Sequence, residues 1–98
     1  MAKSHAHVAE FRATLRIFVL LGHPLRVVIF QRLSRSPMTA GELARTLPIS
    51  RTAVVQHLKR LEADGLVDAT SQGRRQLYRI NPSGLVPLAS WLRRHTGD

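Results

Sequence analysis

The first rhythm in the chain is helical. Val8, Phe11, Leu15, Phe18 and Leu21 fall three or four residues apart, and Ile17, Val19 and Leu20 widen their stripe. That spacing predicts an α-helix, preceded by a loose polar arm at residues 1–6 and ended by Gly22. A stripe so wide must be covered on more than one side, and in a short chain the second cover points to a partner chain. Pro24 suits the first turn of a new helix, where its missing N–H is not needed. Leu25, Val28, Ile29 and Leu33 give that helix a core face, and Ser34-Arg35-Ser36-Pro37 breaks it.

The next two helices are short. Thr39 with Glu42 three residues on is a capping box, in which each side chain satisfies the other's backbone N–H. Leu43 and Leu47 anchor the helix and Pro48 stops it. Ser50 caps the following helix. There Val54, Leu58 and Leu61 point inward, Ala53 and His57 flank them, and Gly65 closes the helix as a left-handed C-cap. Leu66-Val67 and Leu77-Tyr78-Arg79-Ile80 are strand-like and flank Ser71-Gln72-Gly73-Arg74-Arg75, which reads as a hairpin of the longer, glycine-containing kind. Asn81-Pro82 caps a last helix carrying Leu85, Leu88, Ala89, Trp91 and Leu92 and ending in Arg93-Arg94-His95, cations suited to a helix C-terminus.

The order is helix, helix, helix-turn-helix, hairpin, helix: mainly α with a β-hairpin wing, a winged helix-turn-helix (α-α-α-α-β-β-α). The chain has 98 residues, which makes one domain over 1–98, of a size that often gains stability by oligomerising. Fifteen Lys and Arg against six Asp and Glu give +9, a balance that suggests a polyanionic partner, most often nucleic acid. Thirteen of those bases are Arg, suited to bidentate phosphate and guanine contacts.

Within the second helix of the pair, the face opposite Val54, Leu58 and Leu61 is Thr52, Val55, Gln56 and Lys59. A recognition helix reaches base edges with its N-terminal part. Arg51 can fork onto guanine O6 and N7, Gln56 can pair with adenine, Thr52 can donate to a base, and Val55 suits a thymine methyl. Ser50, Lys59, Arg74, Arg75, Thr39 and Arg45 are candidate contacts to the DNA backbone, which add salt-dependent affinity without sequence information. Arg26 is a weaker candidate of the same kind, while Arg12, Arg16, Arg32 and Arg35 read as ordinary surface charges.

The segment LGHPLRVVIFQRLSRSPMTAGELARTLPISRTAVVQHLKRLEADGLVDATSQGRRQLYRI resembles the ArsR/SmtB family of bacterial winged-helix repressors, over roughly residues 15–92. The LGHPLR start, the I-S-x-x-A-V-x-Q-H-L run and the L-E-x-x-G-L-V exit carry the resemblance together. It implies a homodimer formed by the first and last helices, with Val8, Phe11, Leu15, Phe18, Leu88, Trp91 and Leu92 at the interface. It also implies an operator near the chain's own promoter, usually repressed. The alternative is a winged-helix module for protein interaction or non-specific, architectural DNA binding.

The family's familiar switches are not recognisable. The chain has no cysteine, which excludes disulfides and thiolate metal sites. Met38 to Leu47 therefore lacks the family's thiolate pair, and Pro82 to Arg94 lacks its Asp-x-His with a downstream His-Glu. His5, His7 and a partner's copy of His95 lack metal-ligand spacing; His23 reads as a cap, and His57 as a packed or bonded histidine. No metal, cofactor or inducer is assigned. No phosphate loop, nucleophile constellation or close carboxylate pair suggests an enzyme. No apolar run approaches the roughly 18 residues of a membrane span, the N-terminus has no signal-peptide core, and the expected location is cytoplasmic.

Overall fold

In the computed structural model residues 2–97 are described, with side chains from residue 8 onward. The elements are α1 (Ala2–Leu20), α2 (Pro24–Arg35), β1 (Met38–Thr39), α3 (Ala40–Ala44), α4 (Arg51–Ala63), β2 (Val67–Gln72), β3 (Arg75–Ile80) and α5 (Val86–His95). The four helices, the hairpin and the final helix stand in the expected order.

Helix α1 begins at Ala2, so residues 2–6 are helical rather than the loose arm expected from their polarity. No glycine or proline interrupts 2–20, and polar residues continue a helix once it has nucleated. Its apolar surface divides in two. Ile17 and Leu20 are buried in the core beside Thr14, whose hydroxyl donates to the Pro87 carbonyl at 3.2 Å. Val8, Phe11, Leu15 and Phe18 face outward, each about half exposed.

A corner at Leu21-Gly22-His23 turns the chain into α2. His23 caps α2 by accepting the Leu25 N–H on Nδ1 at 3.2 Å, with Pro24 in the first turn. Ile29 and Leu33 enter the core. The capping box forms as the spacing predicts: Glu42 N–H donates to Thr39 Oγ1 (3.2 Å) and Thr39 N–H to Glu42 Oε1 (3.0 Å).

Met38 and Thr39 also form a strand, which the sequence did not suggest because two residues carry no periodicity. They pair with Tyr78 and Leu77, giving an antiparallel sheet in the order β1-β3-β2. The hairpin is tighter than expected. Gln72 pairs with Arg75, leaving only Gly73 and Arg74 in the turn. Gly73 has φ +61°, and among the described residues none but glycine is at positive φ, the pattern of a two-residue hairpin turn with glycine leading.

The end of α4 is a Schellman motif. Leu66 N–H reaches the Leu61 carbonyl (2.9 Å), Gly65 N–H reaches Glu62 (3.0 Å), and Gly65 has φ +77°. The chain returns to this point after the hairpin, where Asn81 N–H donates to the Leu66 carbonyl at 2.9 Å. Asn81 Oδ1 accepts from the Ser83 N–H at 3.2 Å, but it caps a 3₁₀ turn over Pro82–Leu85, and α5 proper starts at Val86. Gly84 lies against Gly65 so closely that a Cβ there would come within 1.9 Å of the Gly65 carbonyl oxygen.

The core joins all of these elements: Ile17 and Leu20, Ile29 and Leu33, Ala40 and Leu43, Val54, Leu58 and Leu61, Leu66 and Val67, and Tyr78. Leu85 and Leu88 pack against it from the last helix. Among the described residues no single helix is long and apolar enough to cross a membrane.

Gly84→Ala is expected to lower stability by roughly 1–3 kcal/mol, the cost of forcing atoms into a filled site, read as a lower urea midpoint. Gly41→Ala is the control. Its Cβ would meet nothing nearer than Thr39 Oγ1 at 3.9 Å, so the better helix former is expected to raise stability by up to about 1 kcal/mol.

Candidate nucleic-acid interface

Three local features aim α4. Its inner row, Val54, Leu58 and Leu61, has no exposed surface. Ser50 Oγ accepts the Ala53 N–H at 3.1 Å and fixes the start of the helix. Leu43 and Thr46 close α3 ahead of it, and Arg32 Nη1 donates to the Thr46 carbonyl at 3.2 Å, holding the turn to α2. Arg32 is thus more than the ordinary surface charge it resembles in sequence; nothing in its spacing points to a carbonyl fourteen residues away.

Between α4 and the wing lies an open groove of about 490 Å³. From α3 and its cap come Thr39, Gly41, Glu42 and Arg45; from α4, Arg51, Val55 and Lys59; from β3 and the turn, Arg74, Arg75, Gln76 and Tyr78. Five cations therefore share the groove with one acid, Glu42. The Thr39 N–H and hydroxyl, with Arg45 and Arg75 nearby, hold the Glu42 carboxyl below the usual carboxylate range, so the groove keeps one fixed negative charge.

The structure gathers Arg51, Val55, Lys59, Arg45, Thr39, Arg74 and Arg75 around this groove. Ser50, Thr52 and Gln56 are exposed but do not line it. Val55 is only partly exposed and packs against the core, because one side of its position on the helix borders the buried row. Ala40, Gly41 and Glu42 of α3, which the sequence does not mark as site residues, also line the groove, and so do two residues of β3. Gln76 follows the wing arginines, and its Nε2 donates to Ser71 Oγ across the hairpin at 3.1 Å. Tyr78 is 6% exposed, and burial pushes its phenol above the usual tyrosine range. The alternation Arg75-Gln76-Leu77-Tyr78 carried the signal, but only the strand register shows which side faces α4.

Arg26 does not lie at the groove. Its Nε donates to Nδ1 of His57 at 3.3 Å and its Nη1 to the Leu20 carbonyl at 3.4 Å. The His57 ring lies 4.7 Å from that of His23. Burial first, then the charges of His23 and Arg26, hold the His57 imidazole below the usual histidine range.

At the far end of the protomer α1 and α5 lock together. Glu10 pairs with Arg94 and accepts from Ser90 Oγ at 3.2 Å. Phe18 meets Trp91 edge-on with ring centroids 5.7 Å apart, and His95 stacks on Trp91 with centroids 4.3 Å apart. Among the described residues no three His, Asp or Glu side chains converge as metal ligands. His5 and His7 lie outside the described side chains.

A capped helix pair, its second helix set beside a basic groove and a hairpin wing, defines a winged helix-turn-helix DNA-binding domain. A helix-turn-helix domain family matches residues 21–69. The chain is 39% identical over 95 residues to the HTH-type transcriptional regulator Rv2034 of Mycobacterium tuberculosis, covering 92% of this chain and 89% of that protein. It is 33% identical over 78 residues to the HTH-type transcriptional repressor SmtB of the same species, covering 80% and 58% of the two chains. An ArsR-like transcriptional regulator from Rhodococcus sp. RHA1 superposes with a TM-score of 0.77 at 33% identity, over 89% of this chain and 82% of that one. The chain belongs to the ArsR/SmtB family of winged-helix regulators, and it is a DNA-binding transcriptional regulator.

Glu42→Gln is expected to keep the capping box, since Gln serves at that position too, and to tighten DNA binding a few-fold at low salt. The gain is expected to shrink as salt rises, because salt screens exposed charges. Titration by fluorescence anisotropy at two salt concentrations checks both points.

Proposed function

We propose that this protein is a non-catalytic, homodimeric repressor in which each protomer reads one half of a two-fold operator. The observation that carries the reading is the groove in which Arg45, Arg51, Lys59, Arg74 and Arg75 surround a single acid. Arg51, Thr52, Val55 and Gln56 read base edges from the first turns of α4. Ser50, Lys59, Thr39 and Arg45 hold the phosphates beside the major groove, and Arg74 and Arg75 hold those reached by the wing. The repressor named among the relatives supports the direction of control.

Shape supports the dimer. The radius of gyration is 15.1 Å, whereas a self-contained domain of this length has about 13 Å. The longest dimension, 48 Å, suits a protomer with an element projecting from its body. Val8, Phe11, Leu15 and Phe18 of α1, and Leu92 of the α5 helix that packs against it, are all between 43% and 50% exposed. Exposed large apolar residues gathered on two packed helices of a small protein mark an interaction site. A second copy satisfies it with the two-fold symmetry that a palindromic operator requires. Trp91 supports this face from behind, while Leu88 belongs mainly to the core.

Selection from random-sequence DNA is expected to return a preferred two-fold site. Arg51→Ala with Gln56→Ala is expected to lose about 1–3 kcal/mol of discrimination per base contact removed in gel-shift competition; unchanged preference sinks the base-reading assignment. Arg74→Ala with Arg75→Ala is expected to lower affinity for all sequences alike and to reduce the slope of log affinity against log salt by roughly two.

Light scattering at micromolar concentration is expected to give a dimer. Phe11→Glu with Leu15→Glu is expected to give a folded monomer with weakened operator binding. A wild-type monomer overturns the two-fold reading.

A further inference from the structure

Where α1 turns into α2, one arginine bonds two elements that also share the core. Arg26, on α2, bonds the last carbonyl of α1 at Leu20 and the middle of α4 at His57. We propose that Arg26 and His57 are positioning residues whose hydrogen bond sets α4 against the end of α1, and that protonation of His57 releases it, so that operator binding weakens in mild acid. The proposal rests on the reading that α4 faces DNA.

The chemistry of the bond makes it conditional. A guanidinium has donors and no acceptor, so Arg26 can bond His57 only while Nδ1 keeps its lone pair. The bond therefore fixes the tautomer with the proton on Nε2. The environment favours this neutral form, since burial and neighbouring positive charge both oppose an imidazolium there. Adding a proton places a donor against a donor and a cation beside a cation. The charges acting on His57 are His23 from the α1–α2 corner and Arg26 from α2; α1 contributes the Leu20 carbonyl to this cluster, and beyond it Arg16 of α1 lines a neighbouring pocket with Arg60 and Asp64 of α4. Neither group acting on His57 is an acid that could take up the new charge.

The expected sign separates this device from ordinary electrostatics. Protonating histidines raises a net charge that is already +9, and added positive charge tightens phosphate binding. Release of α4 does the opposite.

The test uses the full chain and a duplex recovered from random-sequence selection at neutral pH. Affinity is measured at constant ionic strength from about pH 7.5 down to about pH 4.5, past the usual histidine span because His57 is held below it, within the range where circular dichroism is unchanged. Wild-type affinity is expected to fall about tenfold, the effect of losing one hydrogen bond to a charged group. His57→Asn keeps an oxygen acceptor in the place of Nδ1 and cannot titrate. It is expected to bind like wild type at neutral pH and to hold that affinity in acid. Arg26→Met is expected to bind weakly throughout with a flat profile, and it supplies the test should His57→Asn fail to fold. Wild-type affinity that stays constant or rises in acid overturns the proposal, as does a variant whose profile parallels wild type. Failure to recover any preferred duplex at neutral pH sinks the underlying DNA reading, a result distinct from a preferred duplex bound with a flat profile.

Discussion

Val54, Leu58 and Leu61 have no exposed surface, and this buried row decides which side of α4 a partner can touch. A helix rotates about its axis at little cost unless its apolar row is captured. Here α1, α2, α3 and the sheet capture it together, because Ile17, Ile29, Leu43 and Val67 belong to the same core. The outer face is a consequence: with those three residues inside, Arg51 and Lys59 face the wing across an open groove. The wing is placed by the same core, since Val67 and Tyr78 anchor the two strands whose far ends carry Gly73 and the arginines.

Sequence reasoning reached most of this because the decisive signals are local. The Thr39–Glu42 box, the Ser50 cap, the α4 row and the Gly65 cap each lie within a few residues and obey helical spacing. The misses were non-local or too short for a period. A two-residue strand at Met38–Thr39 exists only because β3 passes beside it. Gly84 belongs to no pattern in the sequence, and its constraint comes from Gly65, nineteen positions earlier. Arg26 reads as a weak candidate for the DNA backbone and Arg32 as a surface cation, but each bonds a carbonyl on another element, and no pattern in the chain shows those bonds. The groove assignments divide in the same way. Helical spacing selected the outer face of α4, while Gln76 and Tyr78 depended on a strand register that the turn length alone determines.

The α4 helix is held at three points of different character. Its start is tied by the Ser50 cap, and the Arg32–Thr46 bond steadies the turn before it. Its end is fixed by backbone alone: the Schellman motif, the Asn81–Leu66 bond and the filled contact between Gly65 and Gly84. These involve no titratable group and no flexible side chain, so they hold under any ordinary solution condition. Only the middle depends on a side chain that changes charge. If α4 moves relative to the body of the protomer, His57 is the one of these three attachments whose strength the solvent can alter.

That distinction bears on how a reading head could be coupled to an interface. Helices α1 and α5 form one unit through Thr14–Pro87, Glu10–Arg94 and Phe18–Trp91, and this unit carries the outward apolar face. It meets α4 through the core that Ile17 and Leu20 share with Val54, Leu58 and Leu61, through the backbone contact of Gly65 with Gly84 at the turn that leads into α5, and conditionally at Leu20–Arg26–His57, through the end of α1. In the proposed dimer the two reading heads are spaced by these joints. With the core and the Gly65–Gly84 contact holding α4 in place, a loss at His57 would adjust its angle rather than detach it, leaving each head folded. Binding to a two-fold site is sensitive to that angle because both heads must engage together. A single weak hydrogen bond can therefore influence operator affinity without contributing any contact to DNA.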